Sequence, residues 1–408
     1  MNSPLQGLRV LDLSRVLAGP WCAQILGDLG ADVVKVETPG QGDDSRQFGA
    51  ALNPEVTAGG RDSSFFLACN RNKRSIVIDM TCAEGSRLVR ELAASSDVLV
   101  ENFKAGGLRK FGLDWDALRL LNPRLIHCSV TGFGQDGPYA SRPAYDFIMQ
   151  AMSGMMSTCG QPVGTPGSEP MRTGIPSTDL VTGFNAAIGV LAALIQRGVT
   201  GLGQFVDAAM LDSSVSFNVH MAQGFLLSGA VPQRQGNGNP IASPSEVFPT
   251  LDGWVVIAAG NDRQFALLCE ALALPALAQD PRYLTNLLRV ANRAELRRTL
   301  IVVLQQQSTP HWLNVLQAIQ VPASAINTMD QVFADPQVQH RQMTVDVEHG
   351  SGQRIPILRS PINLSEARTP YHAPPQLGQH TAEVLTQWLG MDTSAQAGLW
   401  ERGVVAGL

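Results

Sequence analysis

Along the first third of the chain, short runs of aliphatic and β-branched residues alternate with segments whose apolar positions recur at helical spacing. Leu8 to Leu13 (LRVLDL) reads as a strand, Pro20 to Leu29 as a helix ending at Gly30, and Val33 to Glu37 (VVKVE) as a second strand. The alternation continues through RSIVIDM (74–80), a helix from Ala83 to Ala94, DVLVENF (97–103), a helix from Trp115 to Leu121 and LIHCSV (125–130). Strand and helix in strict alternation predict an α/β fold: a doubly wound parallel sheet with helices on both faces, whose ligands sit at the carboxyl ends of the strands. From Tyr145 to Leu227 the pattern becomes mainly helical, and the run at 180–196 is apolar on nearly every face, which predicts a buried helix. A Gly- and Pro-rich break at 236–253 precedes a strand, WVVIAAG (254–260), and several helices up to Phe333. The tail regains a strand at MTVDVEH (343–349) and closes on a helix, TAEVLTQWL (381–389). The expected organisation is a large α/β domain over 1–205, a small α/β domain over 225–335 and a carboxyl-terminal segment over 345–408.

A length of 408 residues fits two domains, and 44% hydrophobic with 16% charged residues excludes a disordered chain. A net charge of -5 lacks the broad positive field expected of a nucleic-acid binder, so an anionic ligand must be met by a local site. The amino terminus has no basic region followed by a continuous apolar stretch. No later run reaches about 18 uninterrupted apolar residues, so neither a signal peptide nor a membrane span is expected, and the location expected is cytoplasmic. Six cysteines are scattered singly, without a CxxC pair or a histidine at ligand spacing. They read as reduced core thiols, and no metal site is expected.

The turn after the first strand, SRVLAGP, lacks G-x-G-x-x-G, so a nicotinamide cofactor is not expected. Leu17-Ala18-Gly19-Pro20 still brings bare backbone to a strand end, which suits either a nucleotide or an ordinary βα turn. Two basic clusters, Arg71, Lys73 and Arg74 before one strand and Lys104, Arg109 and Lys110 after another, suit phosphates or a solvated surface. Asp179 stands immediately before the apolar helical run. It reads as a helix N-cap, and equally as an ionised carboxylate that can act as a nucleophile. Asp146 is either a second acid or a hydrogen-bonded cap, and GNGNP (236–240) is either a mobile flap or a plain interdomain turn. His127, inside an apolar strand, and His220, inside a helix, have no nucleophile partner by spacing and read as structural.

Taken in order, LRVLDLSRVLAGPWCAQILGDLGADVVKVE, GDDSR, NRNKRSIVIDM, DVLVENF, NPRLIHCSVTGFGQDGPY, YDFIMQAMSG, DLVTGFNAAIGVLAAL, GQFVDAAML and LGQHTAEVL resemble the family III coenzyme A transferases. That group includes formyl-CoA transferase, carnitine CoA-transferase and the α-methylacyl-CoA racemases. The resemblance implies a doubly wound large domain completed by the carboxyl-terminal segment, a small domain, and an interlocked homodimer of ring-like subunits. It places the nucleophile on Asp179 and coenzyme A contacts on Val16, Leu17, Ala18, Asn72, Lys73, Asn102, Phe103 and Lys110. The position after VVKVE, often Arg in the family, is Thr38 here, so Arg71, Arg74 or Arg142 would have to compensate.

The implied chemistry moves coenzyme A between acids through an aspartyl anhydride and an aspartyl thioester, with the Gly236 to Gly238 flap excluding water. Racemases of the family use a histidine where this chain has Tyr145, a residue that would lie at the coenzyme A site, which favours the transferase. The alternatives are the racemase and a catalytically silent CoA-binding protein. GDDSRQFG and GNDRQF look most like the branch acting on small dicarboxylates such as glutarate, itaconate, citramalate and mesaconate, with succinyl-CoA as donor. A second carboxylate needs a cation, and Arg46 and Arg71 are candidates by position, each equally readable as surface or as a phosphate contact.

Overall fold

A computed structural model describes residues 3–53, 55, 61–368 and 370–407. The chain divides into two compact units, one of Met1–Met155, Thr173–Gly229 and Arg341–Leu408, the other of Met156–Arg172 and Ala230–His340. The second unit therefore takes an early segment, 156–172, that the sequence pattern had left in the large domain.

In chain order the first unit runs β1 (Arg9–Asp12), α1 (Ala18–Asp28), β2 (Asp32–Glu37), α2 (Ser64–Cys69), β3 (Lys73–Ile78), α3 (Ala83–Ala94), β4 (Val98–Glu101), α4 (Trp115–Leu121), β5 (Ile126–Thr131) and α5 (Asp146–Met152). The single turn α6 (Met155–Thr158) leads out into the second unit, and the first unit resumes with α7 (Ser177–Thr200), β6 (Phe205–Ala209), α8 (Met210–Phe217) and α9 (Val219–Ser228). The six strands are parallel in the order 3-2-1-4-5-6, and the strand Val405–Ala406 pairs antiparallel along the β3 edge. The order reverses between β1 and β4, and such a switch point opens a crevice at the carboxyl ends of the strands.

Alternation along the strands sorts the core into two layers. Leu11, Val34, Ile76 and Leu99 face α3, α4 and the helices Thr381–Leu389 and Thr393–Glu401, while Val10, Val33, Val98 and Ile126 face α1 and α7. The sheet is thus doubly wound, and the tail completes it. The second unit is smaller: β7 (Ser245–Pro249), β8 (Trp254–Ala258) and β9 (Ala323–Ala325) form an antiparallel sheet whose Phe248, Val255 and Ile257 pack with Phe265, Leu300 and Trp312 from its helices.

The apolar run of α7 is not buried on every face. Ala186, Ala187, Val190 and Ala193 pack on the sheet, but Ile188, Ile195 and Val199 are 64%, 75% and 87% exposed. By length and hydropathy α7 would suffice to cross a membrane, yet it forms a layer of the sheet against α1, β5 and β6.

Beneath the carboxyl ends of β1 and β2, reached by Lys73 from the start of β3, lies a chain of buried ion pairs. Lys73 Nζ donates to Asp12 Oδ2 at 2.8 Å, to the Pro20 carbonyl at 2.9 Å and to Asn70 Oδ1 at 2.9 Å. Lys35 pairs with Asp43 at 2.8 Å and donates to the Ser14 carbonyl at 2.7 Å. Arg46 forks onto both oxygens of Glu37 at 2.8 Å, pairs with Asp62 and reaches the Pro375 carbonyl at 3.1 Å. Burial alone would raise the carboxyl groups of Asp12, Glu37 and Asp43, but the adjoining ammonium and guanidinium charges hold all three below the usual carboxylate range. Removing one partner strands the other charge in a dry interior. Lys73→Met is therefore expected to destabilise the protein by about 3–5 kcal/mol in urea unfolding, and a loss below about 1 kcal/mol, the size of an exposed pair, would contradict this role.

Candidate active site

At the switch point the first unit opens a cleft of about 680 Å³. Its walls are the turn after β1 (Arg15 to Ala18), the loop after β4 (Asn102 to Gly107), the end of β5 (Val130 to Gly132), the approach to α5 (Arg142 to Tyr145), and Asp179 and Met210. Of the residues singled out from the sequence, Val16, Leu17, Ala18, Asn102, Phe103, Lys110, Arg142, Tyr145 and Asp179 meet here. Lys104 of the second basic cluster meets them too, and Arg15, Asp44 and Met210, which were not singled out, join them.

Two backbone features bring the turn and the acid together. Val16 adopts φ 70°, a left-handed conformation that a β-branched residue takes only under constraint, and its N–H donates to Asp43 Oδ1 at 3.1 Å. The buried ion pairs thereby hold the turn in a strained shape. On the other side, a Cβ on Gly183 would lie 2.7 Å from the Ala18 carbonyl and 3.0 Å from the Trp21 ring. Only glycine lets α7 approach the start of α1 this closely, and Asp179 stands one turn before it. The α1 helix begins at Ala18, two residues before the predicted start, and has no side-chain cap. Its first N–H groups therefore turn their partial positive charge toward the cleft that Ala18 lines.

Asp179 is not the N-cap of α7 but its third residue; Pro176 occupies the cap position, and its own side chain makes no cap. Capping comes from across the cleft wall. Asp146 Oδ1 accepts from the Thr178 N–H at 2.8 Å, the Thr178 hydroxyl at 2.6 Å and the Asp179 N–H at 3.3 Å. Asp146 thus carries the hydrogen bonds that the sequence left open between an acid and a cap. Burial, and then the negative charge of Asp146, push the Asp179 carboxyl up to about 7.

The cations of the cleft are Arg15, Lys104, Lys110 and Arg142. Arg15 pairs with Asp44 at 2.9 Å, and the Arg142 guanidinium lies over the Tyr139 ring at 3.8 Å. Of the three arginines proposed to compensate for Thr38, only Arg142 reaches the cleft. Among the described residues lining it there is no histidine. Arg109 and His127 line a neighbouring hollow, where His127 packs against Trp115 and Phe205.

Other predicted contacts are placed elsewhere, and the physical reason is the same for most of them: their charges are already spent. Lys73 and Arg46 are fully buried in the ion pairs described above. Arg71 grips both carboxylate oxygens of Asp28, with Nε at 2.9 Å from Oδ1. Arg74 binds Asp32, Glu383 and Gln387. Asn72 donates to Asp28 at 2.9 Å and accepts the His372 N–H at 2.7 Å. Asn72, Lys73 and Arg74 border a separate hollow of about 730 Å³ beside the first residues of β2 and β3, the opposite end of the strands from the cleft. Thr38 closes its own turn through the Gly42 carbonyl at 3.0 Å. Gly236 and Gly238 belong to the second unit, where the Gly236 N–H bonds the Gly160 carbonyl at 3.1 Å and Arg293 holds Gln235 and Asn239. All six cysteines are free, but Cys82 and Cys159 are only partly buried, and Cys82 caps α3 through the Gly85 N–H.

Along residues 5–381 the chain matches CoA-transferase family III. It is 45% identical over 385 residues to a succinate–glutarate CoA-transferase of Agrobacterium fabrum, covering 94% of this chain and 95% of that one. It is 41% identical over 407 residues to the succinyl-CoA:glutarate CoA-transferase of Homo sapiens, covering 98% and 90%. Among solved structures, a CAIB/BAIF family protein from Brucella suis superposes with a TM-score of 0.84 at 44% identity, over 95% of this chain and all (100%) of that one.

The raised carboxyl of Asp179 has a consequence for stability with a definite sign. A group whose folded pKa lies above its unfolded value favours folding below about pH 4 and loses that contribution as pH rises through about 7. Asp179→Asn removes the titration, so its melting temperature should gain on the native protein between pH 4 and 7 and keep a constant lead above that. Parallel curves across the whole range would contradict the raised value.

Proposed function

The chain belongs to CoA-transferase family III, and from that premise we propose that it moves coenzyme A from succinyl-CoA to a small dicarboxylate, with Asp179 as nucleophile. The observation that carries the reading is a half-buried carboxylate, with no hydrogen-bond donor on it among the described residues, lining a switch-point cleft that also holds the bare start of α1 and four cations. The names of the two relatives support the donor and the acceptor class, and glutarate is the first acceptor to test.

The steps follow from carboxylate chemistry. A carboxylate oxygen of Asp179 attacks the thioester carbonyl of succinyl-CoA and expels the CoA thiolate, leaving a mixed anhydride. The thiolate attacks the aspartyl carbonyl, releases succinate and leaves an Asp179–CoA thioester. The acceptor carboxylate then displaces the thiolate to form a second anhydride, and the thiolate attacks the acceptor carbonyl to give the new acyl-CoA and free Asp179. Every intermediate keeps an activated acyl bond, so water is the hazard. Lys104, Lys110 and Arg142 are the proposed partners of the coenzyme A phosphates, with Val16, Leu17, Ala18, Asn102 and Phe103 against the rest of the cofactor. The N–H groups opening α1 are proposed to stabilise the tetrahedral oxyanion. Racemases of the family pair a histidine with an acid, and the described residues lining the cleft include no histidine, with Tyr145 at the corresponding position, which favours transfer over racemisation.

Incubating the protein with succinyl-CoA and a pool of glutarate, itaconate, mesaconate and citramalate tests the reading. New acyl-CoA species in the mass spectrum, lost with Asp179→Ala, are the expected result. Succinyl-CoA left unchanged by the native protein would reject the transferase in favour of a silent binder, and exchange of a C2 proton without transfer would favour the racemase.

We further propose that two copies assemble as the interlocked homodimer of the family, in the cytoplasm. Phe147 and Ile148 of α5, Ile188, Ile195 and Val199 of α7, and Phe225, Leu226 and Leu227 of α9 are all between 46% and 87% exposed in one chain. Apolar surface on that scale calls for a partner. Light scattering should give twice the chain mass of 43.7 kDa with no monomer at micromolar dilution, and a stable monomer would contradict it.

A further inference from the structure

The mechanism above leaves unused a cluster that surrounds the start of α7 inside the first unit. Gln150, fully buried on α5, donates to Asp146 Oδ2 at 2.7 Å, while its own Oε1 accepts the Thr173 N–H at 2.9 Å and the Thr173 hydroxyl at 3.2 Å. One turn of α5 therefore ties Asp146 to the strand-like approach of α7. Asp146 in turn takes the Thr178 and Asp179 N–H groups. Leu180 N–H bonds the Pro176 carbonyl at 3.1 Å and Ser177 N–H the Ile175 carbonyl at 2.8 Å, so the opening donors of the helix are all engaged.

A carboxylate in the first turn of a helix is ordinarily steadied by those donors. Asp179 is denied them: no hydrogen-bond donor reaches its carboxyl group among the described residues, and a fixed negative charge stands beside it. From this geometry we infer that Asp146, held by Gln150, is a positioning residue for the transfer reaction, taking up the helix-opening N–H groups and so keeping the Asp179 carboxylate free of hydrogen bonds where it must attack a thioester. The inference rests on Asp179 being the nucleophile. A carboxylate with no hydrogen bonds to break, and with its basicity raised, is the better nucleophile once ionised.

The other charged groups of the cleft are Arg15, paired with Asp44, on the turn after β1; Lys104 and Lys110 after β4; and Arg142 before α5, while the packed helix α8 carries the exposed Asp212 in its first turn. Of all these, the charge of Asp146 is the one that raises Asp179.

The test compares native protein, Asp146→Asn and Gln150→Met in two assays across pH 5 to 9: kcat/KM for succinyl transfer, and the covalent CoA adduct on Asp179 by intact mass. Native activity should rise with a midpoint near pH 7. Asp146→Asn should lower that midpoint by about one pH unit and reduce plateau kcat roughly tenfold or more, with KM for succinyl-CoA within about twofold. Gln150→Met, which leaves the acid in place but releases it, should move the midpoint the same way by less, and it keeps the proposal testable should Asp146→Asn fold poorly. Midpoints unchanged in the folded variants, with the adduct still formed, would overturn the positioning role alone. No adduct on Asp179 in the native protein at any pH would overturn both this role and the nucleophile it serves.

Discussion

Charge removed from water is the constraint on which the cleft depends. Asp12, Lys35, Glu37, Asp43, Arg46 and Lys73 all lie within a few per cent of complete burial, gathered under the carboxyl ends of β1 and β2. None of them tolerates an absent partner, because an unpaired ion in that interior costs several kcal/mol. Their mutual positions are therefore fixed, and Asp43 passes that rigidity on to Val16 by holding its N–H in a left-handed turn. The turn sets the start of α1, α1 receives α7 at Gly183, and α7 carries Asp179. Rigid charge at one end of the chain of contacts thus places a reactive charge at the other.

Two carboxylates of this unit follow opposite logic. Asp43 is surrounded by an ammonium and by hydrogen bonds from Ser45, which hold it ionised. Asp179 has burial and a like charge instead, which raise its carboxyl to about 7, so that protonated and ionised forms coexist near neutral pH and the ionised form is reactive. One unit uses the same side chain as a structural anion and as the proposed nucleophile, and environment alone separates the two.

Much of this was legible in the sequence. The strand and helix alternation located α3, α4 and the helix Thr381–Leu389 to the residue, because strong periodicity is bounded there by clear caps and turns. The turn after β1, the loop after β4 and Asp179 were recognisable too. What misled was the sign of position relative to a strand. Arg71 precedes β3 and Lys73 and Arg74 open it, so all three stand at its amino end, whereas Lys104 and Lys110 follow β4 and stand at the ligand edge. A parallel sheet makes that distinction available from sequence alone. Arg46 follows β2 and lies at the correct edge, but its pairing with Glu37 and Asp62 depends on side chains brought together by folding, which no local pattern reveals. The same holds for Asp146, 33 residues from the N–H group it caps. The close approach at Gly183 had only one trace, a glycine inside a strong helical run.

The central claim is that Asp179 carries the acyl group's activation between donor and acceptor. Protein charged with succinyl-CoA and no acceptor can be treated with hydroxylamine, which converts an acyl-enzyme to a hydroxamate and frees coenzyme A, and the modified peptide can be mapped by mass spectrometry. The account predicts a hydroxamate on Asp179 and on no other residue. Turnover with glutarate in a protein whose trapped group lies elsewhere, or is never formed, would contradict it.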